Sequence, residues 1–312
     1  MKNGIEKLFD FAKVGNESYR EGISVSEIAE MAFSGSYKPA SEDRVKTGIL
    51  FIDPQNDFTD RGTLPVAGTF DDIKRAGKMI AENIENIHSI TVSMDWHNPN
   101  QIFFKSWWRK RDGSSVGNYE IITREKIESG EVYPLFYPDE SKKYVEMLEK
   151  TGKEKEGSII GKKELMIWEY HCLAGTKGAM VERELQNLLN YHEIARKTKT
   201  NYILKGTEPL SEMYGVFKAE YDPENKINSG LLKMFEAYDR VAIMGEAASH
   251  CVLESVAQYI EYFRDREDIL KKLYLVTDCT SAIAGFEEKT RAAFEYFKER
   301  YKINLVKSTE LF

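Results

Sequence analysis

Short apolar segments alternate with helical segments along most of this 312-residue chain, and this alternation constrains the fold more than any other feature of the sequence. The apolar segments have the length and composition of buried parallel strands, and parallel strands need crossover connections such as helices. The sequence therefore predicts a three-layer α/β/α fold around a parallel sheet. The predicted strands are residues 48–53, 88–95, 201–205, 241–244, 273–278 and 303–306, with 165–168 as a shorter candidate.

Charge and cysteine content narrow the class of protein. The formal net charge of -7 at pH 7 disfavours nucleic acid as a partner. The three cysteines, Cys172, Cys251 and Cys279, cannot all pair with one another, which is typical of free thiols in a reducing compartment. No signal-peptide pattern opens the chain, and no apolar run has the length of a membrane span. We therefore expect a soluble cytoplasmic protein that binds neither nucleic acid nor membrane.

Residues 1–46 predict a helical extension ahead of the main domain. An amphipathic helix is indicated in residues 5–12. A capping box formed by Ser24 and Glu27 predicts a second helix that runs through Phe33. Such extensions usually pack on a domain or on a partner subunit, and we expect the protein to be a homo-oligomer.

Residues 47–312 predict one α/β domain with an insertion at about residues 104–163. The insertion is rich in aromatic and charged side chains. Its pattern predicts helices at residues 123–129 and 139–150 and a loop at 152–163. It is too small for an independent domain, so we expect it to fold over one end of the sheet.

Four reactive side chains lie at or just past the ends of predicted strands: Asp53, Asp95, Lys205 and Cys251. In open α/β sheets this edge is where ligands bind. Asp53 could take the proton of the Cys251 thiol while Lys205 holds the carboxylate. Cys251 falls in the first turn of a predicted helix, where unpaired N–H groups favour thiolate and could hold an oxyanion. The alternative is that each acid caps a turn and that Cys251 is a small buried apolar residue.

Asp95 and His97 are separated by one residue just past a predicted strand and could bind one cation together. A third ligand is needed, and His171 is the best candidate among the remaining histidines. One carboxylate with two imidazoles leaves positions open for water and suits a divalent metal ion, zinc first, with iron and manganese as alternatives. The other interpretation is that Asp95 caps a turn and His97 is solvated.

Five sequence blocks carry a further signal: FIDPQNDF (51–58), SMDWHNPN (93–100), WEYHCLAGTKGA (168–179), KGTEPLSEMYGVF (205–217) and GEAASHCV (245–252). In this order they resemble the isochorismatase-like cysteine hydrolase family, and within it the nicotinamidase-type members. The similarity covers roughly residues 47–306 apart from the insertion. It implies an isochorismatase-like hydrolase fold with a six-stranded parallel sheet in the strand order 3-2-1-4-5-6.

The resemblance also implies roles for individual residues of this chain, including a cis peptide bond between Glu246 and Ala247. The implied catalytic residues are Asp53, Lys205 and Cys251. The implied metal ligands are Asp95, His97 and His171. The implied aromatic walls around the substrate ring are Phe58 and Trp168, with Tyr214 lining the same pocket, and the oxyanion hole is implied to be the backbone N–H groups of Ala247 and Cys251.

Three positions depart from the family pattern and bear on the substrate more than on the chemistry. Glu246 replaces a residue that is usually apolar, Gln101 stands where nicotinamidases often have a further histidine, and Glu169-Tyr170 replaces a proline-containing pair. The resemblance implies metal-dependent hydrolysis of nicotinamide, or of a related small aromatic carboxamide, through a cysteine thioester. The alternatives are a metal-independent hydrolase acting on a ureido or N-carbamoyl compound, and a non-catalytic binding protein on this fold.

Overall fold

The computed structural model describes residues 8–16, 22–154, 163–224 and 226–312, and of residues 151–154 it describes the backbone alone. Its centre is a six-stranded parallel sheet, with two small antiparallel pairs beside it. The strands are β1 (Thr47–Ile52), β2 (Ser89–Asp95), β3 (Trp108–Lys110), β4 (Ile121–Ile122), β5 (Val132–Pro134), β6 (Leu165–Met166), β7 (Asn201–Lys205), β8 (Arg240–Gly245), β9 (Leu273–Val276) and β10 (Asn304–Val306).

The strands of the central sheet lie in the order β7-β2-β1-β8-β9-β10. Counted along the chain, these six strands alone follow the expected order 3-2-1-4-5-6. The labels differ from that series because the short strands β3 to β6 fall between β2 and β7 in the sequence. The order reverses between β1 and β8, and such a switch point is where open α/β sheets form a crevice.

Helices cover both faces of the sheet, as a parallel sheet requires. Strand β1 is buried throughout, with Ile49 and Phe51 in one core and Leu50 and Ile52 in the other. The helices are α1 (Val25–Ser34), α2 (Thr69–Glu82), α3 (Arg124–Glu128), α4 (Pro138–Glu154), α5 (Arg183–Arg196), α6 (Ser229–Glu236), α7 (Leu253–Tyr262), α8 (Glu267–Leu270) and α9 (Glu287–Tyr301). The first core contains side chains of α1, α2 and α5, and the second contains side chains of α6 to α9.

The segment 104–163 contributes to a third apolar cluster, which also holds Phe58 and Trp168. Strands β3 and β5 of this segment pair with each other and β4 pairs with β6, all antiparallel. Strand β6 lies just after the segment, within the shorter strand candidate at 165–168, whereas β3, β4 and β5 were not predicted. Helix α4 is longer than the predicted 139–150, because it continues through Glu154. Residues 152–154 of the predicted loop are therefore helical, and its residues 155–162 lie outside the described part of the chain.

Near the N-terminus, the capping box of Ser24 and Glu27 is present and begins α1 as predicted. Ile28 and Ala32 of this helix are buried in the core that also contains α5. The amphipathic helix predicted for residues 5–12 falls partly outside the described residues, which begin at Leu8, and residues 11–15 form turns rather than a helix. None of the helices in the described ranges combines the length and the hydropathy needed to cross a bilayer.

Candidate active site

The ends of β1, β2 and β7 bring three charged side chains together at one edge of the sheet. Asp95 and Lys205 are the last residues of β2 and β7 and are register partners, and Asp53 directly follows β1. The Lys205 ammonium lies 2.8 Å from Asp53 Oδ2 and 2.7 Å from Asp95 Oδ1, and all three residues are buried. Lys205 Nζ is also 3.4 Å from the sulfur of Cys251. The convergence predicted from the strand ends is therefore present.

Lys205 is fixed at the centre of this cluster by all of its donors. Its ammonium donates to Asp95 Oδ1 at 2.7 Å, to the backbone carbonyl of Met213 at 3.0 Å and to the Cys251 sulfur at 3.4 Å. An ammonium has three N–H groups, so these three acceptors use all of them. Asp53 forms an ion pair with the same ammonium. Burial opposes the charged form, but Asp53 and Asp95 outweigh it and raise the pKa of Lys205 well above its ordinary value. The residue is a permanent cation next to the sulfur.

Burial raises the pKa of Asp53 to about 6, even though the Lys205 ammonium opposes the rise. Ser93 supports the ionised form by donating to Asp53 Oδ1 at 2.7 Å. Burial, with Asp53 and Asp95 nearby, also raises the pKa of the Cys251 thiol well above its ordinary value, and Lys205 only partly offsets this. The thiolate favoured by the sequence argument is thus not the resting form, and a proton acceptor is needed when the sulfur attacks.

Cys251 lies in a helical turn that differs from the predicted one. Residues Ala248–Val252 form a π-helical turn that runs directly into α7, so the α-helix itself begins only at Leu253. Single π-turns at the start of α-helices are frequent at functional sites. The turn is anchored by Ser255, whose hydroxyl donates to the Cys251 carbonyl at 2.7 Å.

The segment that leads into this turn requires a glycine. Gly245 has φ +113°, and a Cβ atom there would lie 2.0 Å from the backbone oxygen of Ile52. The peptide bond between Glu246 and Ala247 is cis, as the resemblance implied. Ala247 and Cys251 line the same cavity, which is where an oxyanion hole would be needed.

Two of the departures from the family pattern lie away from this cavity. The Glu246 side chain is buried, does not line the cavity, and accepts a hydrogen bond from the Ser281 N–H at 3.1 Å. Gln101 is also buried, and its amide donates to the carbonyls of Gly206 at 2.7 Å and Glu208 at 3.0 Å. Both side chains therefore support loops around the site and are not part of the cavity lining.

The second predicted set, Asp95, His97 and His171, is also brought together. One ligand atom from each lies within 4.8 Å of the others, and all three residues are buried. Nδ1 of His97 is 2.9 Å from the carbonyl of Gly206, and Nδ1 of His171 is 2.7 Å from the carbonyl of Glu169. Since a carbonyl can only accept, each Nδ1 carries a proton, and Nε2 is the ring nitrogen left to bind a metal ion.

This arrangement fits a divalent metal ion. Burial lowers the pKa of His171 to about 3, so its imidazole is neutral, as a metal ligand must be. Oδ1 of Asp95 accepts a hydrogen bond from Lys205, and Oδ2 lies 3.5 Å from His97 Nε2. One carboxylate and two imidazoles form a donor set that suits zinc, iron or manganese.

Gly206 allows the backbone to approach the metal-binding set. It has φ +70°, and a Cβ atom there would lie 2.4 Å from Cε1 of His97 and 3.2 Å from Oδ1 of Asp95. Only glycine lets its carbonyl accept from His97 without this clash. The residue directly after Lys205 therefore has a structural reason to be glycine.

An aromatic cavity opens above the two sets, with about 500 Å³ of space including its mouth. The predicted wall residues Phe58, Trp168 and Tyr214 all line it. Asp53 and Lys205 lie beneath its floor and are not part of the lining. Glu212 also lines the cavity. It was not predicted to do so, because a glutamate in a loop carries no local signal of burial.

The two other cysteines and His250 differ in their position relative to the cavity. Cys172 and Cys279 are buried free thiols outside the cavity lining. His250 lines the cavity, and its ring centroid lies 5.6 Å from those of both Trp168 and Tyr214. Burial lowers the pKa of His250 to about 4, so it contributes a neutral ring to the wall.

Comparison with known proteins addresses the fold. No protein-family model and no curated protein matches the chain. A nicotinamidase/pyrazinamidase of Acinetobacter baumanii has 17% identity and a TM-score of 0.56, and the match covers 87% of this chain and 100% of that one. A yeast nicotinamidase bound to the inhibitor nicotinaldehyde has 18% identity and a TM-score of 0.57, with coverage of 84% and 99%. A protein of L. infantum in complex with nicotinate has 18% identity and a TM-score of 0.51, with coverage of 86% and 95%. On the strength of these likenesses, the chain has the isochorismatase-like hydrolase fold.

Proposed function

We propose that the protein is a metal-dependent amidohydrolase that converts nicotinamide, or a related small aromatic carboxamide, to the acid and ammonia through a thioester on Cys251. The observation that carries this proposal is the contact of the Cys251 sulfur with Lys205, 3.4 Å away, with Asp53 in the same buried cluster. The similarity in fold to nicotinamidases supports the reaction class.

In this proposal the substrate ring binds between Phe58 and Trp168, which line the cavity above the sulfur. Flat apolar walls favour an aromatic ring over a flexible chain of the same size. Asp95, His97 and His171 would hold the metal ion, which supplies a Lewis acid for an electron-pair donor of the substrate when it is bound.

Asp53 serves as the general base and then as the general acid. It accepts the Cys251 proton as the sulfur attacks the carboxamide carbon, because the thiol does not ionise by itself at neutral pH. The N–H groups of Ala247 and Cys251 hold the oxyanion. Asp53 then gives the proton to the departing nitrogen, which leaves as ammonia. A water molecule attacks the thioester carbonyl, which releases the acid and returns the proton to the sulfur.

The test is release of ammonia from nicotinamide by the purified protein, supplied in turn with zinc, iron and manganese. We expect turnover that is abolished in Cys251→Ala and retained in Cys172→Ala, a matched loss of a buried thiol outside the cavity. Mass spectrometry of the quenched reaction would show an acyl group on the peptide that contains Cys251. Absence of turnover with all three metals would refute the proposed activity.

A second measurement separates an enzyme from a binding protein on the same fold. Iodoacetamide should alkylate Cys251, because this residue lines the cavity and Asp53 can accept the thiol proton as the sulfur attacks. Nicotinamide should protect the sulfur from this reaction. A Cys251 that stays unmodified in the native protein would favour the non-catalytic alternative.

A further inference from the structure

Glu212 places a carboxylate in the wall of the aromatic cavity. Only 3% of its surface is exposed, and it lies in the loop that follows β7. Its Oε1 accepts hydrogen bonds from Trp168 Nε1, at 3.0 Å, and from the Tyr214 hydroxyl. Its Oε2 accepts one from the Tyr144 hydroxyl at 3.0 Å. Two of these donors are the proposed walls of the substrate pocket, and the third belongs to α4.

The direction of these hydrogen bonds indicates that Glu212 is ionised. The indole N–H of Trp168 can only donate. The Tyr144 oxygen accepts from the Glu212 backbone N–H at 3.0 Å, and the Tyr144 hydroxyl donates to Oε2. Burial raises the pKa of Glu212, but its hydrogen bonds from Tyr214, Trp168 and Tyr144 oppose this. A carboxylate that receives donors on both oxygens needs no proton of its own.

The charge of Glu212 has no cationic side chain beside it in the cavity. Among the described residues that line the cavity there is no lysine or arginine. Lys205, beneath the floor, has all of its donors on Asp95, the Met213 carbonyl and the Cys251 sulfur. Lys163, further away, forms salt bridges with Glu220 and Glu254. An anionic group placed beside Glu212 would therefore meet its charge with no cationic side chain between them.

We propose that Glu212 sets the charge specificity of this site, so that it takes uncharged or cationic carboxamides and rejects those that carry a carboxylate. This inference rests on the proposed function and narrows its substrate class. Like charges placed together in a water-poor site are strongly unfavourable, whereas an N–H donor of a ligand would be accepted. An N-carbamoyl amino acid carries such a carboxylate, so the inference also argues against that substrate class for this chain.

Two isosteric compounds test the charge specificity: pyridine-3,5-dicarboxamide, which is neutral, and 5-carbamoylpyridine-3-carboxylate, its singly hydrolysed anion. Binding of each to the Cys251→Ala protein is measured by calorimetry at mildly alkaline pH, which needs no turnover. We expect the anion to bind at least about tenfold more weakly than the diamide. In Cys251→Ala/Glu212→Gln the difference should shrink to under about threefold. In the protein with Cys251 intact, hydrolysis of the diamide should stop after one equivalent of ammonia.

The control is Tyr144→Phe in the same background, which removes one hydrogen bond but keeps the Glu212 charge. It should preserve the tenfold preference, and a loss of preference there would assign the effect to loosened packing and overturn the inference. Equal binding of the two compounds to the parent protein would overturn it without any Glu212 variant, even if Glu212→Gln does not fold. Failure of both compounds to bind would overturn it as well, whereas ammonia release from nicotinamide judges the proposed function separately.

Discussion

Replacing Gly206 by alanine should damage the metal-binding set while leaving the overall fold intact. The alanine Cβ would lie 2.4 Å from Cε1 and 2.9 Å from Nδ1 of His97. His97 is buried and hydrogen-bonded to the Gly206 carbonyl. Its ring centroid lies 5.0 Å from that of Phe103 and 4.8 Å from that of His171, so the imidazole has no free space to move into. The clash must therefore displace the His97 imidazole from its position in the metal-binding set.

Three effects determine the magnitude for Gly206→Ala. A left-handed backbone conformation costs an alanine about 1–2 kcal/mol. Forcing extra volume into a packed site costs about 1–3 kcal/mol, and the less flexible unfolded chain returns about 0.4–1 kcal/mol. The free energy of unfolding should thus fall by roughly 1–4.5 kcal/mol, with a midpoint of about 3 kcal/mol. Displacement of a ligand and of its hydrogen-bond partner should weaken zinc binding by roughly 10–100-fold.

The matched control for Gly206→Ala is Gly113→Ala. Gly113 also has a left-handed backbone, with φ +83°, but an added Cβ would meet nothing within 4 Å. This variant isolates the backbone cost, so the free energy of unfolding should fall by no more than about 1.5 kcal/mol and zinc affinity should not change. Urea denaturation and a competitive zinc titration measure the two quantities. Equal unfolding free energies and equal zinc affinities in the two variants would refute the steric reasoning about His97.

Further predictions concern the Lys205 cluster. Asp53 must be ionised to accept a proton, and burial raises its pKa to about 6. We therefore expect kcat/KM to fall as the pH drops through about 6. A pH profile of kcat/KM that is flat between about 5 and 7 would contradict this. Ser93→Ala removes a hydrogen bond that lowers the pKa of Asp53. The acidic limb of the same pH profile should therefore move to higher pH by up to about one pH unit. A shift to lower pH would refute the role of Ser93. Lys205→Met leaves two buried carboxylates without a cation. The free energy of unfolding, measured in urea at neutral pH, should therefore fall by about 3–5 kcal/mol, and activity should vanish. The control Lys226→Met, which removes an exposed lysine, should change neither quantity.

Much of the sheet, and the members of the two proposed residue sets that lie at or just past strand ends, were predictable from the sequence for the same physical reason. Parallel strands share one carboxyl edge, so an acid or a base at each strand end needs no further information to meet the others. Asp95 and Lys205 illustrate this, since they end neighbouring strands and are register partners. The capping box at Ser24 is an equally local signal, and α1 begins there.

Long-range packing determines the features that were missed. Tyr144 and Glu212 are separated by 68 residues and are both buried. No local pattern links a tyrosine of one helix to a glutamate of a distant loop, because the burial of a charged group depends on donors that only the folded chain supplies. Gln101 and Glu246 show the opposite error, since unusual residue types suggested an altered pocket whereas their side chains are hydrogen-bonded outside the cavity.

Asp95 makes the two residue sets of this site depend on each other. Its Oδ1 accepts from Lys205, and its Oδ2 faces His97, so one carboxylate belongs to the nucleophile cluster and to the metal-binding set at once. Burial raises the pKa of Asp95, but Lys205 and His97 outweigh it and hold the pKa below its ordinary value, which keeps the carboxylate ionised. Lys205 therefore prepares Asp95 as an anionic ligand, and it neutralises the carboxylates that would otherwise make the sulfur harder to ionise. Because one ammonium serves both ends of the cavity, a change at Lys205 should impair metal binding and sulfur chemistry together, whereas a change at His171 should impair metal binding first.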